Sequence, residues 1–432
     1  MEIQALYNLY NQSYSVTTDS RNCPQNAIFF ALKGENFNGN KFALVALENG
    51  CSYAVVDEWE SDENPYVIVV KNVLSTLQKL ANYHRKQLKI PIIGIAGSNG
   101  KTTTKELVAT ILAKKFKVMA TQGNYNNHIG VPLTLLAMNK SHEIGVVEMG
   151  AKRLTEIAEL CKIAEPNYGL ITNIGKDHLE FFGSVENVEK GNGELFDFVC
   201  ETNGKVFVSK DNALLFSRSE GMDRILYGRN DASLFVSGNI VTASPFLEFT
   251  WNFFDTSHHV KTYLVGDYNL DNVLAAAAIG KFFGIHAEQI SDALEKYQPK
   301  NSRSQFERTE RNDLIIDAYN ANPTSMKASL DSFLQIASDL PKAAILGEMK
   351  ELGDTSEEEH RAILQFVRHQ PFAKIYLVGD MFKNLAIEDE KMSYFATVDE
   401  LCQEFDKKPI SGCYVLLKGS NSVQLEKCVE WL

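Results

Sequence analysis

A glycine-rich segment that ends in a lysine and three threonines is the part of this sequence best suited to chemistry. Residues 91–104 read Pro-Ile-Ile-Gly-Ile-Ala-Gly-Ser-Asn-Gly-Lys-Thr-Thr-Thr. This pattern predicts an apolar strand, a tight loop and the start of a helix, and such a loop points backbone N–H groups at a bound anion. Lys101 would then reach the terminal phosphates of a nucleotide, and the Thr102 hydroxyl would bind its magnesium ion.

The spacing of the glycines departs from the standard phosphate loop. That loop, Gly-x-x-x-x-Gly-Lys-Thr, requires glycine at position 95, where this chain has Ile95. The alternative is an ordinary glycine-rich turn between a strand and a helix. Gly-Lys-Thr directly after a strand favours the phosphate loop, but the loop alone does not separate a motor, a kinase, a GTPase and a ligase.

Further candidates follow predicted strands, where ligands of open α/β sheets bind. Glu148 ends a strand over 144–148, a suitable place for a carboxylate that organises magnesium. The alternative for Glu148 is a solvated acid at a strand end. His178, with Asp177, follows a strand over 168–173. For His178 the sequence favours neither a role in binding metal or phosphate nor a purely structural role.

Two segments rich in amides are candidates for binding sugar or peptide groups. The first segment contributes Asn124, Asn126 and Asn127, and the second follows a strand that ends near Asp317 and contributes Tyr319, Asn320 and Asn322. A carboxylate at such a strand end could accept hydrogen bonds from ribose hydroxyls. The alternatives are a plain polar turn for the first segment and a helix N-cap before Pro323 for the second.

The composition bounds the class of protein. The chain has 432 residues, so two or three domains are expected, and 44% of them are hydrophobic. The net charge of −12 without a long basic run argues against nucleic-acid binding. No apolar run suits a membrane helix and no signal peptide is evident, so no membrane insertion is expected. The 7 cysteines are scattered singly, which indicates free thiols and a cytoplasmic location.

The sequence predicts an α/β protein of three domains that position these residues. They are a small N-terminal α/β domain (1–88), a central P-loop-type domain with a parallel sheet (89–298) and a C-terminal Rossmann-like α/β domain (299–432). The first domain has short apolar runs at 27–32, 53–56 and 67–70, which indicate a small α/β or mixed unit. The predicted strands are 90–96, 144–148, 168–173, 313–318, 342–346, 374–378 and 414–418, and the predicted helices are 73–88, 102–114, 154–162 and 269–283, with a β-rich stretch over 205–265.

Taken together, these segments resemble the Mur ligase family of peptidoglycan synthesis. The resemblance covers nearly the whole chain. Its motifs are Asp19-Ser-Arg21 and 30–39 in the first domain, 97–106, 123–134, Glu148-Met-Gly150 and 173–180 in the second, and 317–323, 346–353 and Lys418-Gly-Ser420 in the third. Asn320-Ala-Asn-Pro323 is similar to the members that add a dipeptide. Members that add the third amino acid usually carry Asp-Asn-Pro-Arg there, which this chain lacks.

The resemblance implies an ATP-dependent amide ligase that joins D-alanyl-D-alanine to UDP-N-acetylmuramoyl-tripeptide through an acyl phosphate. It implies ATP and Mg²⁺ as cofactors, the two peptide compounds as small-molecule substrates, and a monomer. The third residue of the tripeptide, diaminopimelate or lysine, stays open. The rivals are a family member that adds one amino acid, a folate-glutamate ligase, and a P-loop ATPase switch whose outer domains bind a partner protein.

The resemblance also implies roles for individual residues. The first domain would bind the uridine diphosphate end of the substrate through Ser20, Arg21 and Lys33, and Asn124, Asn126 and Asn127 would contact the same substrate. ATP would be bound by Gly97, Ser98, Asn99, Gly100, Lys101, Thr102, Thr103, Asn269, Asn272, Arg303 and Asp317. Thr102, Glu148 and His178 would lie near magnesium, and Lys101, Glu148 and His178 are the catalytic candidates. Tyr319, Asn320 and Asn322 would face the incoming dipeptide.

Two positions depart from the family pattern. Tyr268 precedes Asn269 where the family usually has histidine. The family commonly has Ala-Lys-Gly-Glu after the histidine segment, and that lysine carries a carbamate that bridges a second magnesium ion. This chain has Asn192 at the lysine's place, with Lys190 two residues away. An amide cannot be carbamylated, so either the second ion is held in another way or Asn192 binds the bridging water.

Overall fold

Three α/β units follow one another along the chain in the computed structural model, which describes residues 2–13, 15–60, 63–299 and 302–432. Each unit has its own, mostly parallel sheet, which confirms the predicted fold class. In the described ranges no helix is long and apolar enough to cross a membrane.

The first unit is built on a parallel sheet with the strand order β1-β2-β5-β6. Its elements are α1 (Ile3–Ser13), β1 (Val16–Thr17), β2 (Ile28–Phe30), β3 (Lys33–Gly34), β4 (Phe37–Asn38), a 3₁₀ turn (Gly39–Phe42), α2 (Ala43–Glu48), β5 (Tyr53–Val56), β6 (Val67–Val69) and α3 (Val73–Leu88). α3 begins after Asn72, whose side chain accepts from the N–H of Ser75 at 2.7 Å. Near its end, the buried Arg85 donates to the carbonyl of Ala164 at 2.9 Å, which fixes this unit to the central one.

The central unit contains the longest sheet, with the order β15-β14-β13-β12-β11-β10-β7-β9-β8. Its elements are β7 (Ile92–Ala96), α4 (Lys101–Leu112), β8 (Val118–Ala120), α5 (Gly130–Leu136), β9 (Ile144–Glu148), α6 (Glu156–Ala164), β10 (Tyr168–Ile171), α7 (Leu179–Phe182), α8 (Val185–Glu201), β11 (Lys205–Ser209), α9 (Ala213–Arg218), β12 (Arg224–Arg229), β13 (Val236–Ala243), β14 (Phe246–Phe253), β15 (Thr256–Val265), α10 (Asn269–Phe282) and α11 (Ala287–Lys296). β7 is parallel to both of its neighbours, β9 and β10, so the loops after these strands meet at one edge.

The middle of helix α10 is enclosed by the protein, and every residue from Val273 to Ile279 is apolar and buried. It packs along α4, which follows the glycine-rich loop. Gly100 lies at the contact with a φ of +78°, and a Cβ there would lie 2.7 Å from Oδ1 of Asn272. Glycine is therefore required at this position both for its backbone conformation and for the close approach of α10.

The C-terminal unit has a sheet with the order β16-β17-β21-β18-β19-β20, parallel except for β16 against β17. Its elements are β16 (Gln305–Arg308), β17 (Asp313–Asp317), α12 (Pro323–Gln335), β18 (Lys342–Gly347), a 3₁₀ turn (Gly353–Thr355), α13 (Ser356–Arg368), β19 (Lys374–Val378), α14 (Asp380–Asn384), β20 (Met392–Phe395), α15 (Val398–Lys407), β21 (Tyr414–Lys418) and two 3₁₀ turns (Asn421–Val423, Leu425–Trp431). Helix α12 begins as predicted, with Asn322 as N-cap and Pro323 at the first position.

Most predicted elements exist, with ends that differ by a few residues. The clearest difference is α6, predicted over 154–162 and found at Glu156–Ala164. Glu194 of α8 causes the shift, because its carboxylate accepts from the N–H of Thr155 at 2.6 Å and from that of Ala158 at 2.8 Å. A helix start that a distant side chain caps leaves no local signal in the sequence.

The predicted domain boundaries lie in the connections between units. Helix α3 ends at Leu88 before β7, and α11 ends at Lys296 before β16. The boundaries 88/89 and 298/299 stay predictions, and residues 300 and 301, next to the second boundary, lie outside the described residues.

Candidate active site

A cleft of about 1050 Å³ lies where β7, β9 and β10 end, and all three units border it. This volume is slightly above the usual range for ligand sites, roughly 300–1,000 Å³. The candidates that line it are Ser98, Asn99, Gly100, Lys101, Thr102, Thr103, Asn124, Asn126, Asn127, Glu148, His178, Asn269, Asn272, Arg303, Asp317, Tyr319 and Asn320. Gly97 and Asn322 do not line it, but each is hydrogen-bonded to a lining residue. Ser20, Arg21 and Lys33 lie elsewhere on the first unit.

The phosphate loop is held in shape by the two residues that follow β10. Thr172 donates its hydroxyl to the carbonyl of Asn99 at 2.6 Å, and the side chain of Asn173 accepts from the N–H of Asn99 at 3.0 Å. Lys101 folds back on the loop and donates to the carbonyls of Gly97 at 2.5 Å and Ser98 at 3.1 Å. The lysine is thus anchored on the loop at the border of the cleft.

Glu148 is a buried carboxylate with one oxygen satisfied and one not. Its Oε1 accepts from the Thr102 hydroxyl at 3.1 Å and from the Asn126 amide at 2.9 Å. Its Oε2 is buried and has no hydrogen-bond partner among the described residues. A bare carboxylate oxygen in a buried site is stabilised by a cation, and Mg²⁺ takes one or two carboxylates together with phosphate and water oxygens. These residues therefore fit Mg²⁺, although no cluster of three His, Cys, Asp or Glu converges in the described ranges.

His178 connects the central unit to the C-terminal one. Its Nδ1 is hydrogen-bonded to Oε2 of Glu351, and its Nε2 lies 3.6 Å from Oδ1 of Asp177. Lys152 pairs with the other oxygen of Glu351 at 2.6 Å. Burial alone would raise the pKa of Glu351. The hydrogen bond from Lys152 and the charge of His178 have a larger combined effect, so the pKa of Glu351 lies below its usual value. The partners of His178 here are thus two carboxylates.

The two asparagines on α10 form a buried chain of hydrogen bonds beside the loop. Asn269 donates to the carbonyl of Val265 at 2.8 Å, and Asn272 donates to Oδ1 of Asn269 at 2.9 Å. Thr104 of α4 donates to Oδ1 of Asn272 at 3.0 Å. Asn272 therefore links α10 to α4, and Asn269 links α10 to the end of β15. The neighbouring Tyr268 bridges to the next unit, since its hydroxyl is 2.8 Å from that of Ser304.

The C-terminal unit contributes a charged pair and a stacked pair to the cleft. Asp317 forms a 2.8 Å ion pair with Lys418, a lysine that is only 1% exposed. The guanidinium of Arg303 lies 3.7 Å from the ring centre of Tyr319. Its Nε is buried without a hydrogen-bond partner among the described residues. With respect to the described residues, this donor is available to an anionic ligand.

The cationic candidates of the first unit are already paired with carboxylates. Arg21 forms a 2.8 Å ion pair with Asp19, and its hydrogen bond lowers the pKa of Asp19 to about 2. Lys33 contacts Glu58 at 2.7 Å and Asp57 at 2.9 Å, and these hydrogen bonds raise the pKa of Lys33. Both cations lie at the surface, so a ligand with phosphate groups can exchange with these carboxylates at small cost.

Family models match the chain in three consecutive parts. They are described as Mur ligase family, catalytic domain (residues 12–96), Mur ligase middle domain (95–280) and Mur ligase, glutamate ligase domain (302–421). The UDP-N-acetylmuramoyl-tripeptide–D-alanyl-D-alanine ligase of Bacillus subtilis is 31% identical over 96% of this chain and 92% of its own length. The chain belongs to the Mur ligase family.

Other Mur ligases are similar to this chain over nearly its whole length. The UDP-N-acetylmuramoyl-tripeptide–D-alanyl-D-alanine ligase of Escherichia coli is 31% identical over 97% of this chain and 93% of its own length. A crystal structure of MurF from Acinetobacter baumannii superposes with a TM-score of 0.87 at 29% identity and covers 96% of this chain and 92% of that chain. MurF from Thermotoga maritima in complex with ADP superposes with a TM-score of 0.85 at 26% identity, over 96% of both chains.

Asn192, the departure from the Mur ligase pattern, lies under the phosphate loop. It is buried, its Oδ1 accepts from the N–H of Gly97 at 2.8 Å, and its Nδ2 donates to the carbonyl of Val188 at 2.9 Å. Lys190 lies on the exposed face of the same helix. Both ends of the Asn192 amide are therefore hydrogen-bonded within the protein, whereas Lys190 is exposed.

Several residues in contact with the site were not assigned a role from the sequence. Thr172, Asn173, Glu351 and Lys418 all stand in segments that carry the family resemblance or next to them. One local signal was available: Lys418 is a lysine at the carboxyl end of a wholly apolar strand, where a ligand or a buried partner is expected. The partners of the others are set by the tertiary fold.

Proposed function

We propose that this chain is the ATP-dependent ligase that joins D-alanyl-D-alanine to UDP-N-acetylmuramoyl-tripeptide and produces the pentapeptide, ADP and phosphate. The observation that carries the proposal is the match, over nearly the whole of both chains, to curated relatives of that name. A cleft that combines a phosphate loop with the Tyr319–Asn320 turn of the C-terminal unit supports it. The cytoplasmic location and the monomeric state remain predictions.

In this reaction the terminal carboxylate of the tripeptide attacks the γ-phosphorus of ATP, which gives an acyl phosphate and ADP. The amine of the dipeptide then attacks the acyl carbon, and phosphate leaves. Two negative groups meet in the first step, and Lys101 and the N–H groups of its loop reduce their repulsion. The C-terminal unit, which contacts the central one through Glu351 and His178, covers the cleft and limits the access of water to the acyl phosphate.

We assign Mg²⁺ to the Thr102 hydroxyl and the Glu148 carboxylate, with His178 nearby. The ion, when bound, adds positive charge at the phosphate oxygens. Asn269, Asn272, Arg303 and Asp317 are assigned to ATP as well. Ser20, Arg21, Lys33 and the three asparagines of the 124–127 segment are assigned to the UDP-sugar peptide, and Tyr319 and Asn320 to the dipeptide.

The deciding experiment measures ADP release from ATP in the presence of UDP-N-acetylmuramoyl-tripeptide. The dipeptide D-alanyl-D-alanine, a free amino acid or no amine is then added. Release that requires the dipeptide supports the proposal. Release with a single amino acid would instead indicate a ligase that adds one amino acid to the tripeptide, and release without any amine would indicate an ATPase switch.

Replacing Glu148 by glutamine should raise the Mg²⁺ concentration needed for half-maximal activity by roughly tenfold or more, because a charged metal ligand becomes neutral. A Mg²⁺ titration of the initial rate measures this. Glu143→Gln is the control, since Glu143 is an exposed acid just before the other end of β9. Equal Mg²⁺ dependence in the Glu148 variant and in wild type would contradict the metal assignment.

Bicarbonate should leave the rate of the wild-type enzyme unchanged, because Asn192 cannot form a carbamate. Initial rates in degassed buffer and in buffer with added bicarbonate test this. In Asn192→Lys the rate should fall, since the contact with Gly97 is lost, and bicarbonate should restore part of it. Clear activation of the wild type would show that a lysine, such as Lys190, is carbamylated after all.

A further inference from the structure

One side chain of the C-terminal unit reaches the phosphate loop of the central unit. The amide of Asn322 donates from Nδ2 to Oδ1 of Asn99 at 2.9 Å and to Oδ1 of Asp177 at 3.3 Å. Asn322 is only 3% exposed, so these hydrogen bonds are shielded from water. They join residues that are 223 and 145 positions apart in the chain.

The orientation of the Asn322 amide follows from its role as a helix cap. Its Oδ1 accepts from the backbone N–H of Ser325 at 2.8 Å, and a backbone N–H can only donate. The other end of the amide must then be the NH₂ group, and it faces the two oxygens across the unit boundary. The Ser325 hydroxyl accepts from the N–H of Asn322 at 3.1 Å and completes the capping box.

The partner, Asn99, has its backbone fixed by the two residues after β10 and its side chain fixed by Asn322. Its carbonyl accepts from Thr172 and Asn173, and its N–H donates to Asn173. Its Oδ1 takes the hydrogen bond from Asn322, which leaves Nδ2 as its free end. That Nδ2 is buried at the cleft and has no partner among the described residues. An unpaired buried donor in a phosphate loop is suited to a phosphate oxygen.

We propose that Asn322 is a positioning residue that couples the docking of the C-terminal unit to the phosphate loop. When the C-terminal unit covers the cleft, Asn322 turns Asn99 so that its NH₂ group can donate to a phosphate of the nucleotide. This inference rests on the proposed use of ATP. Asn322 follows the Tyr319–Asn320 turn directly, so binding of the amine substrate and alignment of the loop are linked through one short segment.

This role differs from the dipeptide contact that the sequence predicts for Asn322. Both polar ends of its amide are taken by the protein. A direct contact with the dipeptide would have to break one of these hydrogen bonds. The two roles predict different kinetics, since a positioning residue affects the nucleotide and a dipeptide ligand affects the dipeptide.

The test compares Asn322→Ser, Asn99→Ala and the double variant. Serine is about as good an N-cap as asparagine but does not reach Asn99, so the helix is preserved and the link is lost. We expect each single variant to weaken the binding of a non-hydrolysable ATP analogue by a few-fold to about tenfold, the loss of one or two neutral hydrogen bonds. The double variant should bind the analogue as tightly as Asn99→Ala alone does, because both changes remove the same interaction. Calorimetry with the analogue measures this without any ligase turnover.

A second pair of variants uses charge to test the same link. Asn322→Asp keeps the cap but places a carboxylate oxygen against Oδ1 of Asn99 and of Asp177. It should therefore weaken the binding of the ATP analogue more than Asn322→Ser does. Adding Asp177→Asn supplies a donor to that carboxylate and should recover part of the loss. Melting temperatures of all variants are recorded beside the affinities.

Three outcomes would overturn the coupling role. They are unchanged affinity for the analogue in Asn322→Ser, additive losses in the double variant, and a rise in the KM for D-alanyl-D-alanine alone. The last outcome would instead support a direct contact between Asn322 and the dipeptide. If the wild type binds the analogue and the variants behave as expected but no dipeptide is joined, the coupling stands and the proposed substrates are wrong.

Discussion

Replacing Lys101 by alanine should slow the ligase by roughly a hundredfold or more, because one positive charge is removed from the transferring phosphoryl group. The side chain is half-buried on the loop and its ammonium group donates to the carbonyls of Gly97 and Ser98, so no apolar core is lost. ADP release at saturating ATP gives kcat, and thermal unfolding followed by circular dichroism checks the fold.

The matched control for this change is Lys117→Ala. Lys117 is exposed, lies beyond the other end of helix α4 and does not line the cleft, yet its loss changes the net charge equally. The rate of the Lys117→Ala variant should stay within about twofold of the wild-type rate, since exposed charges outside a site contribute little to its energetics. Near-normal turnover and unchanged KM for ATP in Lys101→Ala would rule out the phosphate-loop interpretation.

What the sequence predicts well is the local part of the site. The strand, glycine-rich turn and helix start of residues 92–101 follow from periodicity and from glycine, and the N-cap at Asn322 follows from Asn-Pro. The parallel sheet then brings the ends of β7, β9 and β10 together. For this reason the sequence alone indicates Glu148 and His178 as candidates.

What the sequence does not predict is the pairing of side chains across the molecule. Glu194 caps α6 from another helix, Asn192 holds Gly97 from 95 residues away, and Glu351 reaches His178 from the next unit. Each contact depends on how helices and units pack, and none leaves a periodic or neighbouring signal in the chain. The second role of Asn322, as a link to Asn99, was hidden in the same way behind its visible role as a cap.

Lys418 forms a buried ion pair that organises two parts of the site. Its side chain is 2% exposed, and its ammonium group pairs with Asp317 at 2.8 Å and donates to the carbonyl of Asn320 at 3.0 Å. All three residues stand at the carboxyl ends of adjacent strands or in the turn after them. The lysine therefore holds the carboxylate that is assigned to ATP and the turn that is assigned to the dipeptide in one arrangement.

Replacing Lys418 by methionine should destabilise the C-terminal unit by about 3–5 kcal/mol, because removing one partner leaves the other charge of a buried pair uncompensated. The side chain of Asp317 is 16% exposed, so water compensates part of this and the lower end of the range is expected. Calorimetric unfolding should show a transition at a lower temperature, and the KM for ATP should rise because Asp317 is no longer held.

The control is the double variant Asp317→Asn with Lys418→Met, which removes both charges and nearly preserves the volume. If the loss in the single variant comes from an unpaired charge, the double variant should unfold at a higher temperature than the single one, although its ATP affinity stays impaired. If instead the methionine simply packs poorly against β17 and β18, the double variant will be no more stable than the single. A single variant that unfolds like wild type would mean that Asp317 needs no partner, and Lys418 would then have to be explained by a direct contact with a substrate.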